Sequence, residues 1–352
     1  MILRAIAVAV LATTALAACV GDTPESPPTT IEAVEVGNIE ESDVVQAANE
    51  FINALSSDQR SVAILAFDSP LRPNWSNLPP GMPGFDRNGV RIGDLDADQV
   101  ELMHRFLKTA LSVDGYTTIV EIVGAEDVLA SKSRAGSTRW SADNYWLAFF
   151  GEPSAVKPWA WQFGGHHLAV NVTVIGGRSY LSPTFLGIEP ATYDAGGYTA
   201  APLAGEVEAG LALINSLAGD SLSAAQVETQ PGELWAGAGK DGVIPPLEGS
   251  KVSEWNSSQQ SLLMDAVALW VGLLPAASAE VRLGEIRADL DSTHFAWHGD
   301  ANGHGSIYYR IQGPSLIIEF SARGNVGSDA GHYHSIYRDP TNEYGSIATN
   351  SN

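Results

Sequence analysis

Apolar residues recur three and four positions apart over residues 41–56 and again over 204–218, the spacing of one buried face of an amphipathic helix. The same period returns over 97–113 and 258–274, and there Asp96-Ala97-Asp98-Gln99 and Asn256-Ser257-Ser258-Gln259 put a capping residue ahead of the apolar positions. Residues 168–175 and 316–320 are near-continuous apolar runs rich in β-branched and aromatic side chains, which predicts strands buried on both faces. Gly176-Gly177 and Gly324-Asn325 then turn the chain into a following strand. Two Pro/Gly-rich stretches, 70–94 and 228–251, read as long loops, and long loops on a rigid scaffold often border functional sites. Helices followed by a strand meander, twice over, predict an α+β fold with mainly antiparallel sheet.

The two passes share residues as well as order. At a spacing of 162, Val45, Ala47, Ile52, Asn53, Leu55 and Asp58 meet identical residues at Val207, Ala209, Ile214, Asn215, Leu217 and Asp220. At 161, Gln99, Leu102 and Met103 meet Gln260, Leu263 and Met264; at 148, Trp161, Phe163, Gly165 and Leu168 meet Tyr309, Ile311, Gly313 and Leu316. Three blocks in one order predict an internal duplication, two helix-plus-antiparallel-sheet halves over 41–200 and 201–352 related by a pseudo-twofold axis.

Composition narrows what such a chain can do. With 41 Asp+Glu against 19 Lys+Arg in 352 residues, the net charge of −22 excludes a nucleic-acid binder that works by displacing counterions. A 45% hydrophobic and 17% charged composition excludes wholesale disorder. Residues 1–18 join one Arg to an apolar run ending in small residues, as a secretory signal does, and Leu16-Ala17-Ala18-Cys19 predicts a lipoprotein signal with Cys19 acylated. Residues 19–40 then read as a disordered tether, so the expected place is the bacterial cell envelope, on its periplasmic or cell-surface side, with a membrane partner through the Cys19 lipid. Cys19 is the only cysteine, so disulfides and thiolate chemistry are excluded from the folded part.

With no GxSxG, HExxH or P-loop in the chain, the histidines carry the candidate chemistry. His332 and His334, two apart in a predicted strand, share a face and can chelate one ion. His166 and His167 are adjacent and reach one ion only if the backbone there is irregular, which Gly164 and Gly165 permit. Glu319, inside Leu-Ile-Ile-Glu-Phe, is a carboxylate that needs a cation or a metal, and at the 148 spacing it matches Asn171. The expectation is a composite centre at the repeat interface, with His166, His167, His332 and His334 as metal ligands. Imidazoles with a carboxylate and no thiolate suit a divalent transition metal, Zn, Cu or Fe. Glu319 or Asp339 would take a proton from a bound water and Arg338 would steady the developing anion in a metal-dependent hydrolysis. The same residues also allow a copper-dependent redox protein. A bland alternative pairs Glu319 with Arg310 or Arg338 and leaves the histidines hydrogen-bonded to backbone. A non-catalytic envelope lipoprotein would instead use the aromatics Trp140, Tyr145, Trp146, Trp159 and Trp161 to hold a glycan or a protein.

The segments PWAWQFGGHHLAVN (158–171), PTFLGIEPA (183–191), YYRIQGPSLIIEF (308–320) and HYHSIYRDPTNEYG (332–345) resemble the bacterial domain-of-unknown-function family 3500 over nearly the whole mature chain. The resemblance implies one family-wide unit spanning both repeats, defined by the segments around His166, His167, His332, His334 and Arg338. It brings no named activity with it.

Overall fold

The computed structural model describes residues 41–348 apart from 82–84, 135, 137–138, 229 and 327–330. The predicted signal, Cys19 and the tether lie outside the described residues. The four predicted helices are present as α1 (Glu41–Ala54), α3 (Ala97–Ala110), α5 (Ala204–Ser216) and α7 (Ser257–Val271). Both predicted caps form capping boxes: Asp96 and Asn256 accept from the main chain of Gln99 and Gln259, whose side chains reach back to the cap N–H groups. Four further helices were not foreseen: α2 (Ser57–Ala63), α4 (Val113–Lys132), α6 (Gly219–Ala225) and α8 (Ala276–Ala288). Glycines inside α4 and the short small-residue run of α8 blunt the apolar period that would have announced them.

The strands build one eleven-stranded sheet. The first half supplies β1 (Ile64–Leu65), β2 (Val90–Arg91), β3 (Tyr145–Phe150), β4 (Trp159–Gly165), β5 (Leu168–Ile175) and β6 (Arg178–Ile188). A small hairpin of β7 (Tyr193–Asp194) and β8 (Thr199–Ala200) stands apart. The second half supplies β9 (Ser250–Lys251), β10 (His294–His298), β11 (Ile307–Gly313), β12 (Leu316–Arg323) and β13 (His332–Arg338). The order is β1-β3-β4-β5-β6-β13-β12-β11-β10-β9, with β2 on β3, and β6 and β13 form the antiparallel seam where the halves meet. Gln162 opposes both Ala148 and Asn171, and 148 residues later Arg310 opposes both Ala296 and Glu319. β1 pairs parallel with β3, and Gln226 makes a parallel bridge to Trp297 of β10. The molecule is thus a mixed α+β fold around a large, mainly antiparallel sheet.

Alternation along the strands sorts the two faces of this sheet. Leu168, Val170, Val172, Ile318 and Phe320 pack with the helices in the main core. Ala169, Phe185, Ile317 and Ile336 face the other way and pack against Trp75, Leu234 and Ala236 of the two long loops, which cover that face. Trp159, Trp161 and Tyr145 are fully buried, so most of the aromatic cluster is core. No helix among the described residues is long and apolar enough to cross a membrane.

Candidate metal centre

The seam ends at a group of histidines drawn from both halves. Gly165 pairs with Leu168, so His166-His167 is the two-residue turn of the β4–β5 hairpin. His167 takes φ 61, the left-handed conformation such a turn requires, so the adjacent rings do not diverge as on a regular strand. They lie on one side with centroids 3.6 Å apart. The preceding glycine is obligatory for this path, because a Cβ on Gly165 would stand 2.6 Å from the Tyr145 ring. Tyr145 donates its hydroxyl to the His166 carbonyl, and the Gly187 N–H donates to the His167 carbonyl, both across 2.6 Å.

His332 and His334 reach the same point from β13, where His334 opposes Gly187 of β6. The absence of a side chain at Gly187 lets the rings of His167 and His334 meet over it. Three Nε2 atoms converge: His167 to His332 is 3.0 Å and His332 to His334 is 2.9 Å. Behind each ring a carboxyl group faces Nδ1. Glu233 stands 3.3 Å from His334, Glu189 3.6 Å from His332 and Glu126 4.0 Å from His167. At His334 a proton on Nδ1, facing Glu233, leaves Nε2 as a lone pair, and where all three Nε2 atoms carry lone pairs they repel unless a cation lies between them. Ligand atoms of a tetrahedral ion with bonds of about 2.0–2.1 Å are roughly 3.3 Å apart, close to the spacing found.

The electrostatics also favour neutral rings at His167 and His332. Burial, reinforced by the neighbouring histidines, holds His167 well below the ordinary histidine range and takes His332 down to about 4. A metal requires the deprotonated ring. His167 is 2% exposed, whereas the His332 side chain is 27% exposed and forms the side of the cluster that meets solvent.

His166 does not join these three. Its Nδ1 lies 2.6 Å from Glu126 Oε1, and its ring packs 4.7 Å from Trp140. Burial drives Glu126 up to about 9 and His166 down to about 2, so the pair is neutral and the carboxyl O–H donates to Nδ1. Glu126, His166 and His167 form a second group able to hold an ion, and Glu126 Oε2 is buried with no partner. His/Glu groups that could hold a metal ion are thus present on both sides of His167.

The three residues expected to do acid, base and anion chemistry lie elsewhere. Glu319 is fully buried, and its oxygens accept from the Trp235 and Ala236 N–H groups at 3.0 and 2.7 Å and from Tyr308 Oη at 2.7 Å. Arg310 donates to the same Tyr308 oxygen, so the bland pairing holds in indirect form. Arg338 is occupied by the carbonyls of Ala236 and Gly237 and by Asp241 and Glu343. Asp339 sits seven strand residues beyond His332, about 23 Å along β13. There it pairs with Arg282 at 3.2 Å. The expected assignment therefore meets a plain geometric obstacle: none of the three stands beside the imidazoles.

The carboxylates that do stand there were missed for separate reasons. Glu126 lies on a helix that was not foreseen, yet it continues the buried period of Gly115, Ile119 and Ile122, which was the available signal. Glu189 lies in the quoted segment PTFLGIEPA, and Glu233 in a loop whose path no local pattern encodes.

Fold and cluster together define an α+β protein with an inter-half His/Glu group capable of holding a metal ion. The chain belongs to the family described as protein of unknown function (DUF3500), whose model matches residues 38–346. No curated protein and no solved structure matches it.

Proposed function

We propose that this protein is a cell-envelope lipoprotein, anchored through Cys19, that holds a divalent transition metal between His167, His332 and His334 and uses it for hydrolysis. The carrying observation is the convergence of three Nε2 atoms at 3.0 and 2.9 Å with a carboxyl group behind each ring. A three-histidine ion keeps a fourth position open and lowers the pKa of a water there toward ~7. His332 gives that position its route to solvent. In place of Glu319 and Asp339, the carboxylates nearest the ion are Glu189 and Glu233, which face Nδ1 of His332 and His334 and orient those rings.

We further read the chain as an internal duplication. Its support is the matching element order, the ladder pairs that recur 148 residues apart, and the parallel contacts of β1 with β3 and of Gln226 with Trp297. On this reading the ion lies at the end of the seam and ties one half to the other, because His167 comes from the first and His332 and His334 from the second.

Metal analysis of tag-free protein tests the proposal. About one equivalent of Zn, Cu or Fe is expected in the parent and a loss of most of it in His332→Ala and His167→Ala, with His166→Ala retaining more. A folded parent that takes up no divalent ion would leave only an anchored binding scaffold. A copper-loaded protein with reversible reduction would select the redox reading.

A further inference from the structure

The loop-covered face of β12 and β13 grips one short stretch of the second long loop. Glu319 accepts the N–H groups of Trp235 and Ala236, and Arg338 donates Nε–H to the Ala236 carbonyl at 2.7 Å and Nη2–H to that of Gly237 at 3.1 Å. Both side chains are essentially fully buried, Glu319 at 0% and Arg338 at 1% exposure. Burying an acid and a base is costly, and here much of their hydrogen bonding goes to main-chain groups of a loop that has no ladder to satisfy it. Two residues upstream of this clamp, Glu233 reaches His334 Nδ1. The Glu233 side chain is itself 64% exposed and is otherwise held by Arg323, which also donates to the Gly232 carbonyl. A long exposed carboxylate keeps one rotamer only if its backbone is fixed.

We infer that Glu319 and Arg338 are positioning residues of the metal centre: by fixing residues 235–237 they hold the Glu233 carboxylate against His334 and so set the centre's affinity from outside its ligand set. The inference rests on the metal reading above. It gives the two sequence-singled residues a role at the centre without requiring them to touch an ion or a substrate. Outer carboxylates of this kind orient the imidazole and raise its basicity, and their loss costs about ten- to a hundredfold in metal affinity.

The test titrates Zn²⁺ and Co²⁺ into the tag-free full chain for the parent, Glu233→Gln, Glu319→Gln, Arg338→Gln and the Glu233→Gln/Glu319→Gln pair. It reads Kd and the visible absorption of the Co²⁺ form. Each single variant is expected to weaken binding about ten- to a hundredfold and to shift the Co²⁺ band in the same sense. The pair is expected to be no weaker than its weaker member, because both changes remove one contact. Glu248→Gln, which alters the Arg310 partner in the same loop, should keep the parental Kd. Parental affinity in Glu319→Gln and Arg338→Gln, or losses that add in the pair, would overturn the inference. If Glu319→Gln does not fold, Arg338→Gln together with Arg338→Lys decides the point by the same readouts. Failure of the metal reading is seen separately, as a parent chain that binds neither ion.

Discussion

Gly187→Ala adds one methyl group in the β6–β13 seam, between the rings of His167 and His334. Its Cβ would stand 3.1 Å from His167 Cδ2, from His334 Cδ2 and from Phe185 Cε1. Carbon pairs are comfortable at about 3.5–4.0 Å, so each contact is short by roughly 0.4 Å or more. The rings have little room to retreat, since His167 is stacked on His166 at 3.6 Å and His334 packs on Phe185 at 5.2 Å. Because φ at Gly187 is not positive, the backbone accepts alanine and the strain falls on the side chains. Overpacking of this kind costs about 1–3 kcal/mol in the metal-free protein. The loaded form should suffer more, because Cδ2 is bonded to the ligand atom Nε2 and ligands must be held to within about 0.5 Å. Each further 1.4 kcal/mol lost on loading is about tenfold in Kd. Competition with a chromophoric chelator should therefore show binding weakened about tenfold or more, alongside a lower melting temperature of the metal-free chain. A Kd within about twofold of the parent would refute the reasoning, even with the metal-free form destabilised, because the wedge would then not act on the ligands.

Gly284 offers the converse case: it is exposed in α8 with no atom within 4 Å of an added Cβ, so Gly284→Ala should stabilise by about 0.5–1 kcal/mol in denaturant melts and leave metal binding alone. Asn256→Ala removes the acceptor of the Ser258 and Gln259 N–H groups and should cost about 1 kcal/mol by the same measurement. Burial pushes Glu206 up to about 8 in the folded chain, against an ordinary value of 4.5. The folded state then holds the proton more tightly, so this contribution is complete below pH 4.5 and is lost as pH rises through 8. Glu206→Gln should flatten that part of the decline between pH 5 and 8 in melting curves, and an unchanged slope would contradict it. Stripping the ion with a chelator should lower the melting temperature by several degrees, since a ligand at a thousand times its Kd stabilises by about 4 kcal/mol.

What the sequence disclosed and what it withheld divide along physical lines. Segments whose signal is local were readable: the capped helices at Asp96 and Asn256, and the doubly buried strands around Val170 and Ile318, whose apolar runs have no polar face. His332 and His334 were readable as a pair because a period of two fixes their common face whatever the partner strand. The His166-His167 turn was half readable: the glycines announced irregular backbone but not that only His167 would face β13. Glu319 was marked as a carboxylate that needs a cation or a metal, but its donors are Tyr308 and the N–H groups of Trp235 and Ala236, the last two more than eighty residues away in a loop. No period encodes such a contact, because it is set by how the loop lies across the finished sheet.

The same logic bears on why one end of the seam carries the histidines. On β13, His332 and His334 oppose Arg323 and Ser321 of β12; the positions 148 residues earlier on β5, Ile175 and Thr173, are opposed by Arg178 and Tyr180 of β6. In place of His166-His167, the second half has Pro314-Ser315 in its β11–β12 turn. At this opposite end Arg178 lies over the Tyr180 ring at 4.5 Å and pairs with Glu285 at 2.7 Å. Arg282 donates to the Ser315 carbonyl and pairs with Asp339. Under the duplication reading, both ends of the seam present carboxylates and polar main chain that call for positive charge. One end meets that need with two guanidinium groups built into the chain. At the other, Arg323 pairs with Glu233, and the Nε2 atoms of His167, His332 and His334 converge into a group able to hold a metal ion.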